Sequence, residues 1–312
     1  MTGNATFAQR ATATRPGGAW QGLPMLVLGR GIGPALPAII YLIVFLVLPL
    51  GSLFSFAFLS VERGVVQPGT FSLEHFAQAL SDSLFWKVAW RSFWVGVVST
   101  LLCLLFGYPL AYLYTQWGDL ARRLLLVAVV APLLTSAIVR TYAWIVILGG
   151  RYGLVNSLLI DLGVITRPLR ILNTDIAVII GMTQIHLPFM ILPLIAALAA
   201  HDPDQEHASL AVGASRLQTF FRVTVPQSVP GITAGCAIVF ALSYTNFLIP
   251  QLLGGGNYAT LALQVYEFVI VILDWTKGAV RASLLLGSCF VFVLLITWFG
   301  NRAMAWTEKR AS

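Results

Sequence analysis

Charge is scarce in this sequence: only 10% of its 312 residues are Asp, Glu, Lys or Arg, where soluble proteins carry about a quarter. Hydrophobic residues make up 58% and the mean hydropathy is +0.85. An ordinary soluble domain is thereby excluded, and an integral membrane protein is implied. Nucleotide-binding motifs are missing as well. No G-x-x-x-x-G-K-[ST] loop occurs, and Gly29 to Gly33, "GRGIG", lacks the lysine and following hydroxyl that a phosphate cradle requires. The chain therefore has no motor of its own. There is no H-E-x-x-H, no G-x-S-x-G and no carboxylate inside the apolar cores, which argues against an intramembrane hydrolase and against a proton-coupled carrier. The three cysteines, Cys103, Cys236 and Cys289, fall inside apolar runs, far from the paired spacings of a disulfide frame or metal site. They read as core packing, with no metal and no cofactor on this chain.

What is present is a series of apolar runs. Crossing a hydrocarbon core takes roughly 20 mostly apolar residues. No formal charge appears from Gly31 to Val61, Ser92 to Gly118, Ile176 to Ala200, Val223 to Tyr266, or Ala282 to Asn301. A sixth candidate, Leu124 to Gly150, is interrupted by Arg140 alone. Pro226, Pro230 and the glycines at 254 to 256 trim the long run to a span near Gly231 to Leu253. The expectation is an all-α integral membrane fold of six transmembrane helices.

The charged lead is long and the first apolar run exceeds a signal-peptide h-region, so that run is expected to stay as a span. Residues 1–30, with three arginines and no acid, read as a disordered basic tail whose partner is anionic lipid. A net charge of +7 calls for no nucleic-acid partner. With an even span count and the N-terminus inside, cytoplasmic segments hold ten of the nineteen basic residues, which places both termini in the cytoplasm. The expected layout is a tail at 1–30, a transmembrane domain at 31–306 with a cytoplasmic loop at 201–230, and a short cytoplasmic tail at 307–312. The outer segment 254–279 holds an apolar stretch, "ATLALQVYEFVIVIL", that either re-enters the membrane or caps a cavity.

The loop "HASLAVGASRLQTFFRVTVPQSVPG", His207 to Gly231, breaks the apolar pattern. Asp202 before Pro203 is a helix start. Gly213 can end that helix in the left-handed conformation, and Ser215 with Gln218 has the spacing of a capping box. Pro226 should stop the second helix by about Thr224. Leu210, Ala214, Leu217, Phe220 and Phe221 recur at helical steps and form one apolar face. Such a helix–elbow–helix either lies on lipid or docks on a partner.

From Asp202 to Ile232 the stretch resembles the cytoplasmic loop of permease subunits in binding-protein-dependent ATP-binding cassette importers, whose core is E-A-A, three residues, G, nine residues, I-x-L-P. Nine residues separate Gly213 from Val223, and Val223 to Pro226 stand for I-x-L-P. His207, Ala208 and Ser209 occupy the E-A-A positions, and the nearest acid, Glu206, is displaced by one, about 100° around a helix. "LSDSLFWKVAWRSFWVGVVSTLLCLLFGYPLAYLYT", "APLLTSAIVRTYAWIVILGGRYGLVNSLL", "NFLIPQLLGGG" and "LDWTKGA" are similar to permeases of the polyamine-type subfamily, so that the likeness runs from about Phe71 to Asn301. The resemblance implies a type I importer permease in a bacterial inner membrane. It also implies two ATP-binding cassette subunits that bind ATP and magnesium, a second permease subunit, identical or different, and an extracytoplasmic solute-binding protein. By the same resemblance Asp202, Glu206, His207, Ala208, Ser209, Gly213, Ser215 and Pro226 belong to the coupling loop, with Ala208, Ser209 and Gly213 entering a groove on the ATPase.

Polar groups within spans mark where a solute path should be sought. The candidates are Arg140 and Tyr142 in the third span, Gln184 and His186 in the fourth, and Tyr244, Thr245, Asn246 and Gln251 in the fifth. Tyr244 to Asn246, followed by Pro250, sit where a kink could open beside a cavity. Arg140 either lines the path or snorkels to the outer interface. His186, beside Pro188, reads as a packed histidine bonded to a neighbouring helix. The acid expected before the F of "NFLIPQLLGGG" is Asn246 here, which counts against a polyamine and keeps an opine, an amino-acid derivative or a phosphonate open beside it as the solute class. An ion-coupled secondary carrier is the alternative function, but it calls for an intramembrane acid and an internal repeat. A scaffold without transport would purify without an ATPase.

Overall fold

The computed structural model describes residues 37–62, 65–200 and 203–311. The expected tail at 1–30 and Asp202 lie outside them. The chain divides into two units, one ending at Leu53 and one beginning at Phe54.

Helix α1, Pro37–Phe58, starts in the first unit. Its turn Ile43–Val47 is a π-turn, in which Leu48 N–H donates to Ile43 O, and Pro49 follows at once. A proline lacks the N–H and its ring presses on the carbonyl four residues back. The wider turn moves that carbonyl away, so the helix runs on through the proline.

In the second unit the expected all-helical fold has one exception among the described residues. Strands β1, Leu59–Glu62, and β2, Val65–Phe71, pair antiparallel as a hairpin. The Phe58 and Phe71 rings stack 5.3 Å apart across its open end. Helix α2, Glu74–Ser81, leads into α3, Ser83–Gln116, whose start is capped by the Asp82 carboxylate accepting from Leu84 N. Then come α4, Asp119–Val130, a 3₁₀ turn Ala131–Leu134, α5, Ala137–Leu148, and α6, Leu154–Asp161. Helix α7 is Asp175–Ala199, α8 Pro203–Ala211, α9 Arg216–Gln227 and α10 Val229–Tyr244. Helix α11 is Leu248–Leu253, α12 Leu261–Val271 and α13 Trp275–Ala311.

Among the described residues four helices are long and apolar enough to cross a membrane, α1, α3, α7 and α13, and the count reaches six if each of two bent pairs is one span. The expected third span, 124–150, is not one rod: α4 with its 3₁₀ turn meets α5 at 97°, where Pro132 opens the turn. The expected fifth span also breaks, because α10 ends at Tyr244 and α11 begins only at Leu248. The last expected tail, 307–312, is helical as far as Ala311. In the segment 254–279, α12 is too short to span.

Helices α3, α7 and α10 pack side by side and carry most of the core. One cluster joins Val95, Leu148, Val178, Met182, Ile249 and Leu253. A second joins Cys103, Met190, Ile191, Leu194 and Val239. A third joins Phe85, Val88, Phe240, Tyr244, Leu261, Leu285 and Cys289. All three cysteines are free thiols, Cys103 and Cys289 being buried, as core packing requires. Lipid is as apolar as leucine, so close backbone approach rather than water exclusion holds such helices together. Gly231 shows it: a Cβ there would sit 2.8 Å from Pro193 O and 3.2 Å from Leu194 Cα. Neither backbone atom can swing aside, so Gly231→Ala is expected to cost about 1–3 kcal/mol by overpacking. The thermal midpoint of the detergent-solubilised protein should drop, while Gly287→Ala, whose Cβ meets nothing within 4 Å, should leave it unchanged.

Candidate functional site

The loop at 201–230 folds as a helix, an elbow and a second helix. At the end of α8, Gly213 N–H donates to Leu210 O and Ala214 N–H to Ser209 O, the paired bonds of a Schellman motif with glycine at its left-handed position. Gly213 has φ +89°, and open space surrounds the place a Cβ would take. Ser215 Oγ then accepts from Gln218 N, and Gln218 Oε1 accepts from Ser215 N. Both halves of the capping box are formed. The glycine, the cap and the helix start at Pro203 all stand where the sequence placed them.

The second helix does not stop at Thr224. Its middle is a π-turn, Phe220–Thr224, closed by Val225 N–H on Phe220 O, and Pro226 follows. The mechanism is that of α1: the widened turn accommodates the proline ring, and the helix continues to Gln227. At Ser228 it bends by 62° into α10.

The expected single apolar face is also divided. Phe220 turns inward, its ring lying edge-on to Tyr108 and Tyr112 of α3 with centroids 5.7 and 5.2 Å away. Tyr108 Oη and Ser228 Oγ are hydrogen-bonded at 2.9 Å, so the bend is tied to the same helix. Leu217, Phe221 and Val212 are exposed, Val212 by 84%. Ala208 and Ser215 are exposed, whereas Ser209 and Pro226 are half-buried. Ser209 Oγ bonds Thr219 Oγ1 at 3.0 Å, Glu206 Oε1 accepts from Thr224 Oγ1 at 2.6 Å, and Gln227 Nε2 donates to Gln205 Oε1. Three pairs thus bridge the arms. His207 lies on α8 between these bonded residues.

The residues expected along a solute path differ in burial and bonding. Tyr244 is 3% exposed; its ring stacks on Phe240 and its hydroxyl bonds Ser288 Oγ at 2.9 Å. Thr245 Oγ1 donates back to Ala241 O, and Asn246 Oδ1 accepts from Ile249 N at 3.0 Å. The expected break at this turn is present, and Asn246 caps the short helix beyond it. Tyr142 and Gln251 are exposed. Arg140 is half-buried, with Nε and Nη1 out of solvent and without a hydrogen-bond partner. His186 Nδ1 is bonded to Ser243 Oγ of α10 at 2.9 Å, the packed histidine that the sequence indicated. Ser243 was not singled out, since a lone serine in an apolar run carries no periodic signal.

Beside the α7 start, Tyr258 is buried and its hydroxyl has no hydrogen-bond partner within normal distance. Arg91 lies over its ring at 5.0 Å and 3.8 Å from Asp175. Burial, with the Asp175 carboxylate nearby, pushes the phenol above its ordinary range, so it is neutral and able only to donate or accept a hydrogen bond. Among the described residues no cluster of His, Cys, Asp or Glu could hold a metal ion.

Residues 103–310 match the model of a family described as the binding-protein-dependent transport system inner membrane component. A spermidine/putrescine transport system permease protein PotB from Haemophilus influenzae is 35% identical over 256 residues, 82% of this chain and 88% of that protein. Its counterpart from Escherichia coli K12 is 33% identical over 264 residues, 85% of this chain and 95% of that protein. A chain of a bacterial alginate ABC transporter, solved with a pentasaccharide-bound periplasmic protein, superposes with a TM-score of 0.70 at 18% identity, covering 89% of this chain and 95% of that one. The MetNI methionine ABC transporter supplies another, with a TM-score of 0.51 at 18% identity over 73% of this chain and 99% of that one. At those identities the structural likeness establishes the fold alone.

Proposed function

The chain belongs to the binding-protein-dependent transport system inner membrane component family, the type I ABC importer permeases of bacterial inner membranes, and from that premise we infer that it forms the solute path of an ATP-driven importer. Coupling runs through the loop at 202–226. The observation that carries this is the elbow itself: a left-handed Gly213 between two capped helices, internally bridged and seated on α3. An amphipathic loop resting on lipid keeps its whole greasy face outward, and here that face is split: Phe220 is half-buried against Tyr108 and Tyr112, while Leu217 and Phe221 remain exposed for a partner.

The partners under this reading are two ATP-binding cassette subunits that hold ATP and magnesium, a second permease subunit and an extracytoplasmic solute-binding protein. The elbow and both termini then face the cytoplasm. Exposed Ala208 and the tip residues Val212 and Leu217 present small and apolar groups to an ATPase groove. The solute is a small organic molecule: polyamines are what the similar PotB proteins are named for, and opines and amino-acid derivatives share the required size.

The substrate is tested on the solute-binding protein that co-purifies with the chain. A ligand that binds only the folded state stabilises it by about 2.7 kcal/mol at a hundredfold excess over Kd. Putrescine or spermidine is expected to raise its melting temperature in a concentration-dependent way. A rise with an opine or an amino acid instead, and none with either polyamine, would move the assignment to that class.

A further inference from the structure

The acid nearest the E-A-A positions is displaced by one residue, and the structure shows where it goes. Glu206 is half-buried and turns back toward the second arm of the elbow. Its Oε1 accepts from Thr224 Oγ1 at 2.6 Å, and Thr224 is only 2% exposed. The bond joins α8 to the last residue of the π-turn in α9, 18 positions along the chain. Ser209 with Thr219 and Gln205 with Gln227 repeat the pattern on either side. Residues 205, 206 and 209 lie within about one turn of α8, so three rungs join one stripe of the first arm to the second.

The second arm is in turn fixed to the membrane helices. Phe220 packs on Tyr108 and Tyr112, and Tyr108 holds Ser228 at the 62° bend where α10 starts. Helix α10 ends at Tyr244, at the turn that Asn246 caps. A push on α8 can therefore reach this turn only if the first arm moves with the second. Gly213 alone cannot ensure that, since a single glycine joint is the most compliant kind of link.

We propose that Glu206 is a positioning residue that locks the two arms of the elbow into one lever, so that movement of an ATP-hydrolysing partner reaches α10. The inference rests on the docking reading given above. It differs from a contact role: the carboxylate acts through Thr224 and touches no partner. A glutamine keeps the acceptor oxygen that Thr224 needs, an alanine removes it, and valine in place of Thr224 removes the donor at nearly constant volume.

Two readouts on the full chain test it. In lipid nanodiscs without partners, amide exchange across residues 216–227 is expected to quicken about tenfold in Glu206→Ala and in Thr224→Val, the size of one lost charge-assisted hydrogen bond. Glu206→Gln is expected to stay near wild type, and the Ala/Val double variant to be no worse than either single. In the assembled complex, a cysteine introduced at exposed Gln251 is labelled with an impermeant maleimide, with and without ATP and vanadate. The nucleotide-dependent change in labelling should be lost in Glu206→Ala and kept in Glu206→Gln, while a cysteine at Ala208 still crosslinks to the ATPase in both.

Wild-type exchange and labelling in Glu206→Ala would overturn the lever. So would loss of the labelling response in Glu206→Gln, because it would assign the role to the charge and hence to a partner contact. Failure of Ala208→Cys to crosslink in the otherwise wild-type chain would instead remove the docking reading. The partner-free exchange result would still show whether the arms are locked.

Discussion

Gly213→Val is expected to abolish coupled uptake, with the ATP-hydrolysing subunits no longer stimulated by the loaded solute-binding protein. Gly213 has φ +89°, where a β-branched residue is strained by about 1–3 kcal/mol. No neighbouring atom stands in the way of a Cβ, so the cost arises from the backbone alone. The chain relieves it by rotating φ, which breaks the Schellman bonds from Gly213 and Ala214 to Leu210 and Ser209 and re-aims the second arm. Gly213→Asn separates this cause from loss of a small surface residue, since asparagine tolerates the left-handed region. It should keep most of the uptake. Vanadate-sensitive ATPase activity and solute uptake in proteoliposomes are the measurements, and normal coupling in the valine variant would mean that the elbow does not transmit.

The elbow was the most legible part of the chain because each of its signals is local. A glycine at a helix end, a serine with a glutamine three residues on, and an acid before a proline act within a single turn of backbone. The rungs at Glu206 and Thr224 were not legible, because they join residues brought together only when the Gly213 turn has been made. The stop expected at Pro226 was a local inference that tertiary structure overrode: the π-turn ahead of the proline removes the clash on which the inference depended. Helix α1 does the same at Pro49, so a proline in this chain marks a widened turn at two places where it would ordinarily mark an end.

The spans show the same division. Long charge-free runs gave α1, α3, α7 and α13 directly, since length and apolarity are additive along a sequence. Pro132 was visible, but a 97° bend depends on what α5 packs against. Tyr244 read as a path residue because it has a hydroxyl. The structure spends that hydroxyl on Ser288 and packs the ring on Phe292 as well as on Phe240 one turn back; Ser288 and Phe292, 44 and 48 positions away, are partners that periodicity does not pair.

Asn246 is where capping and transport meet, and two substitutions separate them. Its Oδ1 accepts from Ile249 N at the start of α11, which carries Ile249 and Leu253 into the first core cluster. Asn246→Leu removes the acceptor, at a cost of about 1 kcal/mol for a lost helix cap, and replaces a half-buried polar group by an apolar one. Uptake is expected to fall by about tenfold or more, since 1.4 kcal/mol corresponds to one factor of ten, and the thermal midpoint should fall with it. Asn246→Asp restores the acceptor and should restore the midpoint. It also introduces the acid that the polyamine-type stretch carries at this position. A carboxylate at about 4 Å from an ammonium gains roughly 4 kcal/mol at an effective dielectric of 20. If the turn lines the path, the aspartate variant should therefore favour spermidine over a neutral or acid-bearing solute relative to wild type. A restored midpoint with unchanged selectivity would assign Asn246 to the fold alone, and the solute would then pass elsewhere, with half-buried Arg140 the next residue to substitute.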